Sequence, residues 1–314
     1  MRAGRRRSLR PALFTFSIPL FTLHLLYMRI LHQDEFPPSL LEIPQVPDHL
    51  YIRGELPSPI DYIYVSVVGS RKHTSYGKDV CEKLIRGLKG YPVVIVSGLA
   101  LGIDSIAHKT ALEVGLPTIA VPGSGLNDAV LYPASNRGLA ELILKKEGCL
   151  LSEFDPNFKA TVWSFPQRNR IMAGISRAVL IIEAEEKSGT LITARMALDY
   201  NRDVLVVPGS IFSDASKGTN KYIRLGATPI TSAEDILEAL GLLEENTPTQ
   251  QSFAEIESLT DDEKVIMSLL SEPIARDELI ARSGFATPQA SALISILEIK
   301  GLITENLGKI QKIV

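Results

Sequence analysis

The chain has 314 residues, 45% of them apolar and 22% charged, which is the composition of one large and one small folded domain and excludes a disordered or fibrous chain. Two cysteines, Cys81 and Cys149, are too few for a disulfide framework or a thiolate zinc site and suit a reducing compartment. The formal net charge of −3 includes five arginines in the first ten residues, leaving −8 on the rest, so any affinity for nucleic acid has to come from a local basic patch.

Residues 1–35 form an atypical segment in which Arg2, Arg5, Arg6, Arg7 and Arg10 precede an apolar stretch from Pro11 to Leu31. A positive flank before an apolar run is the pattern of a signal anchor. Pro19, His24 and Arg29 interrupt the run, and no small-x-small cleavage site follows it. The favoured reading is a misassigned start codon with Met28 as an internal start, or a degenerate helical domain, in a cytoplasmic protein; membrane association is not favoured. Pro37, Pro38, Pro44, Pro47, Pro57 and Pro59 then predict an extended lead-in over residues 34–60 with little regular structure.

From Tyr62 to Leu242, short Val/Ile-rich runs alternate with helical patterns. Strands are predicted at 62–68, 93–97, 117–122, 149–152, 178–183 and 203–207. Helices are predicted at 76–89, 103–114, 135–147, 169–175, 190–200 and 218–225. Continuous apolar strands separated by helices imply a parallel sheet buried on both faces, so residues 36–242 are assigned to an α/β, Rossmann-like doubly wound domain. Ligands bind such sheets beyond the carboxyl ends of the strands.

Those ends carry the informative residues. The first strand breaks into Gly69-Ser70-Arg71, where a glycine turn, a hydroxyl and a planar guanidinium suit a phosphate. The second runs into Ser97-Gly98, with Gly102 four residues on, a helix start whose amides suit an anion. Asp104 and His108 share a helical face there, but without a third ligand the Asp is read as a cap and not as half of a metal site. Phe165-Pro-Gln-Arg-Asn-Arg170 gathers Arg168, Asn169 and Arg170 at a predicted helix start beside an aromatic ring, a set suited to a sugar-phosphate chain and a stacked base. One arginine of that set is expected to pair with Glu153 or Glu183 instead. Ser188-Gly189-Thr190 opens another helix. Arg137 and Lys217 add positive groups on neighbouring loops. No Walker loop, Ser/His/Asp order or paired carboxylate arrangement is present, so no catalytic residue, metal or cofactor is assigned.

Residues 243–254 read as a polar linker. Residues 255–314 predict helices near 260–270, 275–282 and 287–300 followed by a hairpin, the winged-helix pattern. That unit carries six Lys/Arg against ten Asp/Glu and one Lys at the far end of its presumed recognition helix, so a protein-contact or dimerisation role is expected over duplex reading.

Taken in order, Gly69-Ser-Arg71, Ser97-Gly-Leu-Ala-x-Gly-Ile-Asp-x-x-Ala-His108, Tyr132-Pro-x-x-Asn136, Ser152-Glu153, Phe165-Pro-x-Arg-Asn-Arg170, Ser188-Gly-Thr-Leu-Ile-Thr-Ala194 and Pro208-Gly209 resemble the DNA-processing protein A family, also called DprA or Smf, over residues 36–314. The resemblance implies a Rossmann-type core that binds single-stranded DNA, forms a homodimer and loads the RecA recombinase during natural transformation, without being an enzyme. It carries Arg71, Arg168, Arg170, Ser97, Gly98, Ser188, Gly189 and Lys217 over as strand contacts. The chain departs from the family where members commonly begin with a small helical domain, and at Ala134, where a Lys often follows the Pro. The rival is a nucleotide-cleaving phosphoribohydrolase of related fold, whose Pro-Gly-Gly-x-Gly-Thr-x-x-Glu loop is not matched by Pro122-Gly-Ser-Gly-Leu-Asn-Asp128.

Overall fold

Nine strands, most of them runs of Val, Ile and Leu, form one sheet in the order β1-β2-β6-β5-β4-β3-β7-β8-β9. The computed structural model of the chain describes residues 28–243, 259–270, 272–300, 302–306 and 308–312; the Arg-rich start, residues 11–27 of the apolar stretch and most of the linker lie outside them. The strands are β1 (Met28–His32), β2 (His49–Gly54), β3 (Ile63–Val68), β4 (Val93–Ser97), β5 (Thr118–Ala120), β6 (Cys149–Ser152), β7 (Ala178–Ile181), β8 (Asp203–Val206) and β9 (Thr228–Pro229). Strands β3 to β9 are mutually parallel, and Val65 of β3 lies opposite both Ile95 of β4 and Ala178 of β7. The helices are α1 (Pro38–Leu41), α2 (Ser75–Gly87), α3 (Ile103–Val114), α4 (Arg137–Lys145), α5 (Ser164–Ile175), α6 (Thr190–Asp199), α7 (Lys217–Arg224) and α8 (Ala233–Ala239). Residues of α2, α3 and α8 pack on one face of the sheet, and residues of α5, α6 and α7 on the other. The fold is the doubly wound α/β sheet that the apolar runs require.

Two segments differ from expectation. The proline-rich lead-in is not uniformly extended coil: β2 pairs antiparallel with β6, and β1 pairs antiparallel with β2, so residues 28–32 belong to the sheet. In β2, buried Leu50 and Ile52 alternate with half-buried Tyr51 and Arg53, the period of a strand buried on one side only. Helix α5 starts at Ser164, five residues before its predicted start, because Pro166 falls in the first turn, where its missing N–H costs no hydrogen bond.

The chain divides between Leu243 and Glu244 into two compact units. In the second, α9 (Asp261–Leu269), β10 (Ile274–Ala275), α10 (Arg276–Ser283), α11 (Thr287–Ile299), β11 (Ile303–Asn306) and β12 (Lys309–Lys312) follow in chain order, and β10 and β11 flank β12 in a three-stranded sheet. Its cations are largely spent on its own acids: Arg276 pairs with Glu305 and Glu298, Lys300 with Glu263, Arg282 with Glu278 and Lys264 with Asp261.

Helix α3 is fixed to the sheet through His108, which is fully buried. Thr118 Oγ1 donates to the Ile95 carbonyl, so His108 Nδ1, 2.7 Å from that hydroxyl, is the donor, and Nε2 has no hydrogen-bond partner. Burial pulls the imidazole pKa down to about 3. The unfolded chain therefore binds a proton at His108 from about pH 6.5 downwards while the folded chain does not until near pH 3, and stability is lost as pH falls through that window. Urea titrations between about pH 7 and pH 4 are expected to show wild-type stability falling more steeply than that of His108→Gln, by about 1 kcal/mol per pH unit. Equal slopes would show that His108 titrates normally.

Candidate nucleic-acid interface

Beyond the carboxyl end of β3, where the chain turns to β4 on one side while β7 lies on the other, a cavity of about 370 Å³ opens. Its floor depends on close backbone approaches. A Cβ on Gly69 would lie 2.7 Å from the Ile103 side chain, and one on Gly102 would lie 2.3 Å from the Ser70 carbonyl oxygen. Gly102 also has φ +77°, and the amide of Ile103 donates to Ser70 O at 3.2 Å, so the two glycines dock the Gly69–Arg71 turn on the start of α3. The intervening Leu99 has φ +56°, costly for a residue with a branched side chain. Asn136 holds it: its Nδ2 donates to Leu99 O at 2.7 Å and Ser105 Oγ at 2.8 Å.

Helix α5 builds the opposite wall. Phe165, Arg168, Asn169 and Met172 are spaced i, i+3, i+4 and i+7, one face of a helix, and all four line the cavity. Arg168 is only 5% exposed. Its Nη1 donates to the carbonyls of Gly98 and Val121 and its Nε to Asn169 Oδ1 at 3.0 Å, and a Cβ on Gly98 would collide with the guanidinium. Asp104, also buried, does not cap its helix as expected: the N-cap is Gly102, and the carboxylate reaches back to accept from the loop amides of Gly98 at 3.1 Å and Ala100 at 3.4 Å. Burial draws the Arg168 pKa down to about 10, with Asp104 opposing, so the guanidinium stays charged at neutral pH. Burial raises the Asp104 pKa, against the pull of Arg168.

The rim is different in kind. Arg71 is exposed, and its guanidinium carbon lies 4.9 Å from the centroid of the Phe165 ring. Phe165 rests on Gly123 and faces Tyr132, 47% exposed, at a centroid distance of 5.7 Å. Lys72 stands exposed beside Arg71. Across the cavity, α6 begins at Thr190, whose amide donates to Ser188 Oγ at 3.2 Å, and Gly189 before it is exposed with open space where a Cβ would be. Thr190 Oγ1 donates to Gly69 O at 3.1 Å, tying this helix start to the end of β3. Exposed Glu185 is the acid of the rim.

Of the residues singled out in the sequence, Gly69, Ser70, Arg71, Phe165, Arg168, Asn169, Ser188, Gly189 and Thr190 meet at this cavity. The other six do not line it, and they have structural occupations. Ser97 is fully buried and donates to Val67 O at 2.7 Å, while Gly98 and Gly102 support the loops from behind. Arg170 projects from another face of α5, where it donates to Gln45 O and forms a buried ion pair with Glu153. Glu183 takes no arginine; it accepts from the amide of Thr74 at 3.0 Å and from its hydroxyl. Arg137 Nη2 donates to Ala129 O at 2.9 Å. Lys217 is exposed but paired with Asp214 at 2.5 Å.

Lys72, Tyr132 and the supporting Asn136 were missing from the sequence-derived set. Lys72 had a legible signal, a second cation directly after the Gly-Ser-Arg turn.

A larger cavity, about 1050 Å³, opens at the amino ends of the strands between Gly54–Pro57, Tyr62, Tyr91 and Lys146–Gly148, away from the glycine loops. Among the described residues no cluster of three or more His, Cys, Asp or Glu could hold a metal ion, and no helix is long and apolar enough to cross a membrane. Both cysteines are buried, which raises their thiol pKa values and leaves them weak nucleophiles.

The family model for DNA recombination-mediator protein A matches residues 27–241, and that for the DprA winged helix domain matches residues 250–309. Protein Smf of Escherichia coli is 37% identical over 282 residues, covering 85% of this chain and 72% of its own. The DNA processing protein DprA of Streptococcus pneumoniae is 43% identical over 204 residues, 65% of this chain and 71% of its own. Its X-ray structure superposes with a TM-score of 0.62 at 38% identity over 69% of this chain and 76% of that one. The DNA processing protein A of Helicobacter pylori, a structure that describes a single-stranded DNA binding mode, superposes with a TM-score of 0.61 at 31% identity, over 68% of this chain and 95% of that one. With both of its units matched by family models and its sheet shared with these structures, the chain belongs to the DNA recombination-mediator protein A family, DprA or Smf.

Proposed function

We propose that this protein is a single-stranded DNA-binding recombination mediator that holds the strand along the carboxyl edge of its sheet and passes it to the RecA recombinase, acting in the cytoplasm during natural transformation or related recombination. The observation that carries the reading is the rim of the 370 Å³ cavity, where exposed Arg71 lies over Phe165 with Lys72 beside it and exposed Gly189 opposite. A guanidinium and an ammonium beside exposed aromatic surface suit phosphates and unpaired bases together, whereas a duplex keeps its bases stacked inside. Membership of a family in which the Helicobacter relative is described by its single-strand binding supports the same ligand. The ligand is taken to be bound without being altered. A homodimer would join two such sites on one strand and raise affinity through effective concentration. The C-terminal winged helix, in which Lys264, Arg276, Arg282 and Lys300 are paired with acids, is assigned to protein contact and not to duplex binding.

Fluorescence titration with single-stranded and double-stranded oligonucleotides, followed by addition of RecA, tests the reading. Single strands are expected to bind more tightly, with a salt dependence of about −0.7 in log K per phosphate contacted, little sequence preference and faster RecA filament formation. Preference for duplex would overturn it, and release of free base from nucleoside monophosphates would replace it with a nucleotide-cleaving enzyme.

A further inference from the structure

We infer that Trp163 is a second base-stacking platform, which carries the strand past the Phe165 cavity toward the β5/β6 end of the sheet edge. The indole sits at the residue preceding α5, two positions before Phe165, and is 55% exposed. It is held from behind. Phe158 lies 5.4 Å away at 61° and Phe154 lies 5.8 Å away at 77°, and these two rings stack on each other at 4.6 Å.

The loop that carries the trio is itself tied to the segment following β5. Gly125 N donates to Phe158 O at 2.9 Å, Asn127 N to Pro156 O at 3.0 Å and Ser164 Oγ to Gly123 O at 2.6 Å. Gly123 is the residue on which Phe165 rests, so both aromatic platforms are fixed to one piece of backbone at the same sheet edge. A ring fixed in this way loses little conformational entropy when a flat ligand stacks on it.

The apolar surface here is narrow. Exposed Val162 and Trp163 lie in a loop whose exposed neighbours are Asp155, Asn157, Lys159 and Thr161, a setting that matches a base with its phosphate near Lys159 better than the broad apolar face of a protein partner. A strand engaged at the Phe165 cavity has to leave it, and on the α5 side Trp163 is the next exposed ring.

This inference rests on the single-strand reading of the cavity, and one experiment separates the two. Trp163 is the sole tryptophan of the chain, so native indole emission reports on it alone without any substitution. An oligothymidylate short enough to occupy only the Arg71 cavity, followed through a terminal dye, is expected to bind without changing that emission. One several nucleotides longer is expected to quench it, and to bind Trp163→Ala roughly five- to a hundredfold more weakly than wild type, while Trp163→Phe keeps most of the affinity. Binding of the longer strand with unchanged emission, or with equal affinity for Trp163→Ala, would overturn the inference and leave the cavity reading in place. A wild-type protein that binds neither strand would overturn both.

Discussion

Arg71→Ala is expected to weaken oligothymidylate binding about ten- to a hundredfold at moderate salt while leaving the urea midpoint of the protein unchanged. The side chain is exposed, and its described contact is the face of Phe165, so its removal takes away a charge-assisted fork and a cation–π contact without opening the core. The salt dependence should lose about 0.7 in slope, the share of one phosphate on a single strand. Arg71→Lys should restore the slope but only part of the affinity, because an ammonium keeps the charge and loses the planar fork. Affinity equal to wild type across the salt range would remove Arg71 from the interface.

The opposite outcome is expected for Arg168→Ala, three residues from the same aromatic ring. Its guanidinium lies inside the protein, donating to the carbonyls of Gly98 and Val121, with Asp104 as the buried counter-charge. Truncation leaves two carbonyls without their donor and removes the positive charge that favours ionised Asp104, a loss of about 3–5 kcal/mol. Against a typical total of about 5–15 kcal/mol, that is a large drop in the urea midpoint. DNA affinity should fall only as far as the Gly98–Asp104 loop is disturbed. A variant as stable as wild type but unable to bind a strand would reverse the assignment and make Arg168 a strand contact.

The contrast between these arginines marks the limit of what the sequence discloses. Unbroken apolar runs such as Val93-Val-Ile-Val suffice to place parallel strands, and a glycine directly after them suffices to place the ligand edge. Prolines on either side concealed β2, although its buried Leu50 and Ile52 already alternate as a one-sided strand does. Starting α5 after Pro166 concealed the face shared by Phe165, Arg168, Asn169 and Met172, and with it the reason Arg170 points elsewhere. The Arg170–Glu153 pair matches one of the two pairings anticipated. That Arg168 also ends on backbone carbonyls was not legible, because carbonyls contributed by two distant loops leave no mark on the chain near position 168.

The loop supports are similarly silent in one dimension. Asn136 is separated from Leu99 by 37 positions, and its carboxamide is what stabilises the left-handed backbone there. A carboxamide in a Tyr-Pro loop reads as a surface residue until the fold brings the glycine loop beneath it.

The buried guanidinium at the floor and the exposed cations at the rim also bear on how long a strand stays. With Arg168 committed to carbonyls and balanced by Asp104, the adhesive charge rests on Arg71 and Lys72, which water and competing ions reach directly. On the proposed single-strand reading, release breaks contacts at exposed side chains, one nucleotide at a time. A short residence time for each nucleotide, made up by many contacts along the strand, would suit the proposed hand-over of that strand.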